Sequence, residues 1–232
     1  MKTHARERIV VSVGGSLIVP DQIDTDFLKR FKTLVLEKIE QGFSFVIITG
    51  GGKTARRYQD AAEQASLLTN DDLDWLGIHS TRLNAHLFRT IFRDSAHPTI
   101  ITNPDEILDA PHDAPLIVAA GYRPGSSTDL RAVQIAKRSG ATKLVNLSNI
   151  DYVYTADPRT NPDAKKIEKI SWVEFRKLIP AEWDPGLSAP FDPVAAKEAE
   201  ALGLEVAIIN GAKLEEFSNY LDGKPFIGTV IS

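Results

Sequence analysis

Three glycine-rich turns, and the cations next to them, carry the chemistry legible in this chain. The first is Gly14-Gly15-Ser16. The second is Gly50-Gly51-Gly52-Lys53, with Arg56 one turn further on. The third is Gly121–Asp129 (GYRPGSSTD), which includes Arg123. Backbone N–H groups at such turns, and at the helix starts that follow them, bind anions. The second turn is not a P-loop. That motif, G-x-x-x-x-G-K-[ST], would need Gly at position 47 to end on Gly52-Lys53-Thr54, and the residue there is Ile47. One phosphate group needs one such turn. Three on one rim suit several phosphates, hence two phosphorylated ligands, as a phosphotransferase requires when its acceptor already carries a phosphate. Taken singly, each glycine can also serve only the geometry of its turn.

The elements that must hold these turns alternate between strand and helix patterns. Strands are expected at Arg8–Val13, Phe43–Thr49, Thr99–Thr102, Leu116–Ala120, Lys143–Leu147, Glu205–Ile209 and Phe226–Ile231. Helices are expected at Asp24–Gln41 with Asp24 as N-cap, Lys53–Ala65, Asn70–Arg93, Thr128–Ser139, Ser171–Leu178, Pro193–Leu202 and Leu214–Leu221. Val153–Tyr154 and Lys166–Ile167 read as arms of a small hairpin. On the long helix, Leu73, Leu76, Leu83, Leu87 and Ile91 form an apolar stripe. Strands separated by helices predict an α/β fold, with a mainly parallel central sheet covered on both faces. In such a sheet ligands bind beyond the carboxyl ends of the strands, where all three turns fall. The region Pro180–Pro190 is the loosest stretch and reads as a loop within one domain, 1–232.

The second half offers different groups. Asp151, at a strand end, can organise a lysine or a magnesium-bound phosphate. Asp157 can accept from a ribose hydroxyl, Tyr154 presents an aromatic face to a base, and Asn210-Gly211 can pass beneath one. Each is also an ordinary turn residue. Lys165 or Lys166 can reach phosphates from this side. The charged run Asp157–Lys169 reads as a solvated loop able to fold over a ligand.

Composition narrows the function classes. With 232 residues and a net charge of -4, the chain is not a general nucleic-acid binder. The absence of Cys excludes disulfides, thiolate zinc sites and a Cys nucleophile. No apolar run approaches the roughly 20 residues of a membrane span, and the first residues read as a strand rather than a signal peptide, so a cytoplasmic location is expected. His79 and His86 lie two turns apart with no third ligand, so no metal site is expected. Trp75, Trp172 and Trp183 read as packing residues.

The segments VGGSLIVP, ITGGGKTARRY, DWLGIHSTRLNA, PGSSTD, SNIDYVYTADPRTNPDAKKI and FDPVAAK, in this order, resemble the amino acid kinase superfamily and most closely the archaeal-type uridylate (UMP) kinases. The resemblance covers nearly the whole chain. It implies a three-layer αβα sandwich with an N-terminal acceptor lobe (about 1–140) and a C-terminal ATP lobe (about 141–232). It also implies transfer of the γ-phosphoryl of ATP to UMP with Mg2+, in a homo-oligomer that is a hexamer built from dimers. By position, Gly15, Ser16, Gly52 and Arg56 would lie along the ATP phosphates, and Ser148, Tyr154 and Asp157 would hold the nucleoside of ATP. Lys165 would reach its phosphates. Gly51, Asp74, Tyr122, Arg123, Pro124, Gly125, Ser126, Ser127 and Thr128 would surround UMP, with Asp74 near the sugar. Arg56, Lys53 and Asp151 are the catalytic candidates. The long helix would pack on its twin in a dimer.

The chain departs from the superfamily at Ser12, where many members carry a Lys, and at Tyr152, where a Gly is common. Arg123 can touch the acceptor phosphate or only solvent. Among relatives acting on other acceptors, the carboxylate kinases fit less well with Arg56, Arg82 and Arg123. The isopentenyl phosphate kinases lack their His here, since none lies between Ile47 and Gln64. A nucleotide-binding or storage protein without turnover is the alternative from another class.

Overall fold

The computed structural model describes residues 7–111, 114–181 and 189–232; Trp183 and most of the loose stretch Pro180–Pro190 lie outside them. Seven strands form the main sheet: β1 (Glu7–Val13), β2 (Phe43–Thr49), β3 (Leu116–Ala119), β4 (Lys143–Ser148), β7 (Lys169–Ile170), β8 (Glu205–Asn210) and β9 (Thr229–Ile231). Their order is β3-β2-β1-β4-β8-β9-β7. Every neighbouring pair is parallel except β8 with β9. The short pair β5 (Val153–Tyr154) and β6 (Lys166–Ile167) is the expected antiparallel hairpin.

Alternation along each strand sends side chains to opposite faces, and each face has its own core. Val10, Val46, Ile117, Leu144 and Val206 point to one layer. It contains α5 (Thr128–Ser139), α6 (Trp172–Leu178) and α7 (Pro193–Leu202). Val11, Ile47, Val118, Val145 and Ala207 point to the other. There lie α2 (Thr25–Glu40), α4 (Asn70–Ile91) and α8 (Leu214–Leu221), meeting around Phe31, whose ring packs on Phe27, Phe88, Phe92 and Phe217. The one-turn α1 (Gly15–Ile18) and α3 (Gly52–Ala65) sit at the rim. The result is three layers, as expected.

Local chemistry sets the boundaries. Asp24 caps α2 by accepting from Phe27 N at 2.8 Å, and Gly140 ends α5 in the left-handed region. The strand expected at Thr99–Thr102 is reduced to an isolated bridge of Ile101 with Ala119. Pro98 and Pro104 bracket it, and Asn103 caps a 3-10 turn immediately after. The final strand is shorter than expected because the Phe226 ring turns away to pack on Tyr220, at 5.3 Å. The buried face of α4 also differs from its apolar stripe. Ile78, Thr81, Asn84, Ala85 and Phe88 face inward, while Leu83 is exposed.

Candidate active site

Parallel register brings the carboxyl ends of four strands to one level. Val13 pairs with Thr49 on one side and Leu147 on the other, and Ser148 pairs with Asn210. β1 lies between β2 and β4, so the chain winds outward in both directions from it, and the crevice opens where that direction switches.

The first two glycine turns fill this crevice by packing backbone on backbone. A Cβ built on Gly15 would lie 2.0 Å from Gly52 N and 2.6 Å from Gly52 Cα. Gly52 itself has φ +63°, a conformation that favours glycine. Hydrogen bonds fix the arrangement. Gly14 N donates to Leu147 O, Gly50 N to Val13 O, and Lys53 N to Val19 O, all at 2.9–3.0 Å. The third turn shares a cleft of about 220 Å³ with the second, Gly51 and Gly52 on one side and Ser126, Ser127 and Thr128 on the other. Asp74 of α4 lines the same cleft and accepts from Gly125 N at 2.7 Å. All three turns therefore meet on one rim.

Helix α4 braces this rim with polar side chains that the sequence pattern did not single out. Asn84 Nδ2 donates to Gly50 O at 2.7 Å, and Thr49 Oγ1 donates to Thr81 O at 3.0 Å. Gly121 N donates to Thr81 Oγ1 at 2.8 Å. Arg82, counted in the sequence toward a phosphate acceptor, instead ties the third turn down. Its Nε donates to Gly121 O at 3.1 Å and its Nη2 to Tyr122 O at 2.9 Å. Only their placement on the inner face of a helix beside two loop ends could have revealed these residues.

The cations differ in availability. Lys53 and Arg57 both hold Asp21, at 3.0 and 2.7 Å. Arg56 is exposed beside the second turn, between these two. Arg123 is exposed and stacks over Tyr122 at 5.5 Å. On the other side of the rim, Asp151 accepts from Asn210 Nδ2 and Lys213 Nζ, each at 2.8 Å. The Lys213 ammonium holds that carboxyl below the usual carboxylate range, helped by Asn210. Asp151 thus organises a lysine, one of the two roles its position suggested, and Lys213 is the partner that reading missed. Tyr154 meets Tyr152 edge-on at 6.5 Å. Asp157 is bidentate to Arg159, with its Oδ2 2.8 Å from Nη2, so a ribose would have to share it. Lys165 is exposed in the β5–β6 connection, and Lys166 bonds Glu168 at 2.9 Å. Trp75 is exposed on α4 rather than packed, its ring 6.0 Å from His79, whereas Trp172 is buried. Among the described residues, no group of three or more His, Cys, Asp or Glu side chains is placed to hold a metal ion.

Asp129 is another missed residue, signalled only by its place in the first turn of α5. It sits behind the third turn, against Ser12 and Asn146, which are adjacent on β1 and β4. Its Oδ1 accepts from Asn146 Nδ2 and its Oδ2 from Asp192 N, both at 3.3 Å. Burial pushes its carboxyl up to about 7, and the Asp192 carboxylate adds to that push, against hydrogen bonds from Asp192 N and Ser12. A Lys at position 12 would have supplied a counter-charge; Ser12 does not.

The folded value of Asp129 lies above its ordinary 3.8. The native state therefore keeps this proton in a range where the unfolded chain has lost it. The stability it contributes is complete below pH 3.8 and lost as pH rises through about 7. Asp129→Asn should flatten the decline in melting temperature between pH 5 and pH 8, removing up to about 1.4 kcal/mol per pH unit. Parallel profiles for the variant and the parent would contradict this burial.

Comparison with known proteins agrees with the geometry. The family model described as "Amino acid kinase family" matches residues 7–210. The chain belongs to the amino acid kinase family. It is 35% identical over 219 residues to the uridylate kinase of Pyrococcus abyssi, covering 94% of this chain and 96% of that protein. It is 33% identical to the uridylate kinase of Hyperthermus butylicus, covering 97% of each. The crystal structure of uridylate kinase from Archaeoglobus fulgidus superposes with a TM-score of 0.83 at 28% identity, covering 97% of this chain and 99% of that one. The rim that the three turns form is built from Gly15 against Gly52 and from Gly51 facing Ser127.

Proposed function

We infer that this chain is a UMP kinase, transferring the γ-phosphoryl group of ATP to UMP and releasing UDP. The observation that carries the reading is the contact of Gly15 with Gly52. No side chain fits between the first two turns, and the third turn faces the second across one cleft. Two phosphate chains can therefore approach end to end there. The uridylate kinases of Pyrococcus abyssi and Hyperthermus butylicus align with this chain over nearly its whole length, which supports UMP as acceptor. The alternative of a nucleotide-binding protein without turnover rests only on Ser12, which stands where many superfamily members carry a Lys.

In this reading Gly15, Ser16, Gly52 and Arg56 lie along the ATP phosphates. Ser148, Tyr154 and Asp157 hold its nucleoside, and Lys165 reaches in from the exposed β5–β6 connection. Gly51 and Asp74 face UMP, Asp74 at its sugar, and Tyr122, Arg123, Pro124, Gly125, Ser126, Ser127 and Thr128 wrap its phosphate and base. The acceptor oxygen of UMP is already anionic, so no general base is needed. Catalysis reduces to alignment and to neutralising two facing phosphates. Arg56 does this directly, Lys53 from its pair with Asp21, and the Asp151–Lys213 pair from the ATP side. Mg2+ accompanies ATP as part of the substrate and screens its phosphate charge. The acceptor lobe spans about 1–140 and the ATP lobe about 141–232. The exposed face of α4, with Trp75 and Leu83 41% and 62% exposed, suits a twin helix in a dimer, and dimers assemble into a hexamer.

Incubation with ATP, Mg2+ and each nucleoside monophosphate tests the reading. UDP is the expected diphosphate, and no nucleoside diphosphate formed from any acceptor would refute it.

A further inference from the structure

One wall of the acceptor cleft is a cation with an unused donor. Arg131, on the first turns of α5, is 6% exposed and lines the cleft beside Ser126, Ser127 and Thr128. Neutral groups hold its guanidinium. Nη1 donates to Gln134 Oε1 at 2.7 Å, Nη2 donates to Ser126 Oγ, and Cζ lies 5.2 Å from the centre of the Tyr122 ring. Its Nε–H is buried without a partner. No carboxylate among the described residues forms an ion pair with it. A buried donor without an acceptor is destabilising, and more so on a charged group. Such a cost at a cleft wall is relieved when a ligand supplies the acceptor.

Arginine offers donors only, so the missing partner is an oxygen or an unprotonated ring nitrogen. The UMP kinase reading, on which this inference rests, has Gly51 and Asp74 face UMP, with Asp74 at the sugar, and wraps the third turn around its phosphate and base. Tyr122, Ser126 and Arg131 meet at that turn. We propose that Arg131 reads the base of the acceptor nucleotide, donating from its guanidinium to the C4 carbonyl oxygen of uracil. A uracil ring carries carbonyls on both sides of N3. A cytosine ring replaces the C4 carbonyl with an amino group, which would set donor against donor at that position. Sites built to bond a polar group reject analogues that lack it far more strongly than apolar pockets reject a change in size. Arg131 is thus a specificity residue for UMP over CMP.

Steady-state kinetics of the full chain with UMP and CMP, for the parent and for Arg131→Met and Arg131→Lys, provide the test. Met keeps the packing under Tyr122, and Lys keeps the charge but loses the planar donor fork. In both variants kcat/KM for UMP should fall by about 10–100-fold, mostly through KM, as loss of a charged hydrogen bond gives. CMP should change by less than about 3-fold, so the preference shrinks, while KM for ATP and the melting temperature hold. An unchanged UMP to CMP ratio in folded variants would overturn the proposal. Equal losses for both acceptors would also overturn it, by assigning Arg131 to the phosphate. A parent enzyme that turns over neither nucleotide would instead refute the kinase reading, and the proposal with it.

Discussion

Arg56→Ala is expected to lower kcat for UDP formation by about 10²–10³-fold while leaving the fold intact. The size follows from the task. Removing one preorganised donor aimed at charge that develops in the transition state typically costs about 2.7–4 kcal/mol. Arg56 stands between two cations already engaged by Asp21, Lys53 at 3.0 Å and Arg57 at 2.7 Å. It is exposed on α3, away from both cores, so its removal should leave the melting temperature within about a degree. Lys53→Ala should cost less than Arg56→Ala, since the Lys53 charge is shared with a carboxylate. Circular dichroism and a coupled assay for ADP release check both statements. Near-parental turnover in Arg56→Ala would remove this residue from the chemistry.

Gly15→Ala is expected to cost at least about 10²-fold in kcat/KM. The added methyl carbon would sit 2.0 Å from Gly52 N, 2.6 Å from Gly52 Cα and 2.8 Å from Gly50 C. All three are backbone atoms pinned to β1 and β2, so the two turns must separate by an ångström or more. A displacement of about 1 Å at reacting groups is enough for a loss of this order. The strands are held by their own ladder and by both cores, so the sheet should persist. The variant should still bind ATP and UMP separately, measured by calorimetry, with turnover as the property lost. Turnover within about 3-fold of the parent would mean that the two turns do not need their close contact.

The sequence made the architecture legible because its signals agree across levels. β-branched runs such as Phe43–Thr49 alternate with capped amphipathic helices, and glycines stand where strands leave the sheet. What it hid depended on partners distant in the chain. The two-residue strand Lys169–Ile170 is too short to show a period and exists because β9 offers it a parallel edge. Thr81 and Asn84 look like ordinary interruptions of an apolar stripe until the ends of β2 and β3 are placed beside them. Arg131 reads as one more helix-surface cation, yet Tyr122 and Ser126 fold over it. Arg82 erred in the opposite direction. Its charge suggested a phosphate, but its fork geometry matches two carbonyl oxygens of the third turn. Asp157, similarly, spends its bidentate edge on Arg159.

The account stands on two phosphate chains lying end to end across the Gly15–Gly52 contact. A uridine and an adenosine joined through five phosphates tests this most directly, titrated calorimetrically into the protein. One molecule should bind per chain, more tightly than ATP or UMP alone, and saturating ATP or saturating UMP should each displace it. Binding of two molecules per chain, or displacement by one nucleotide but not the other, would place the two ligands at separate sites and contradict the account.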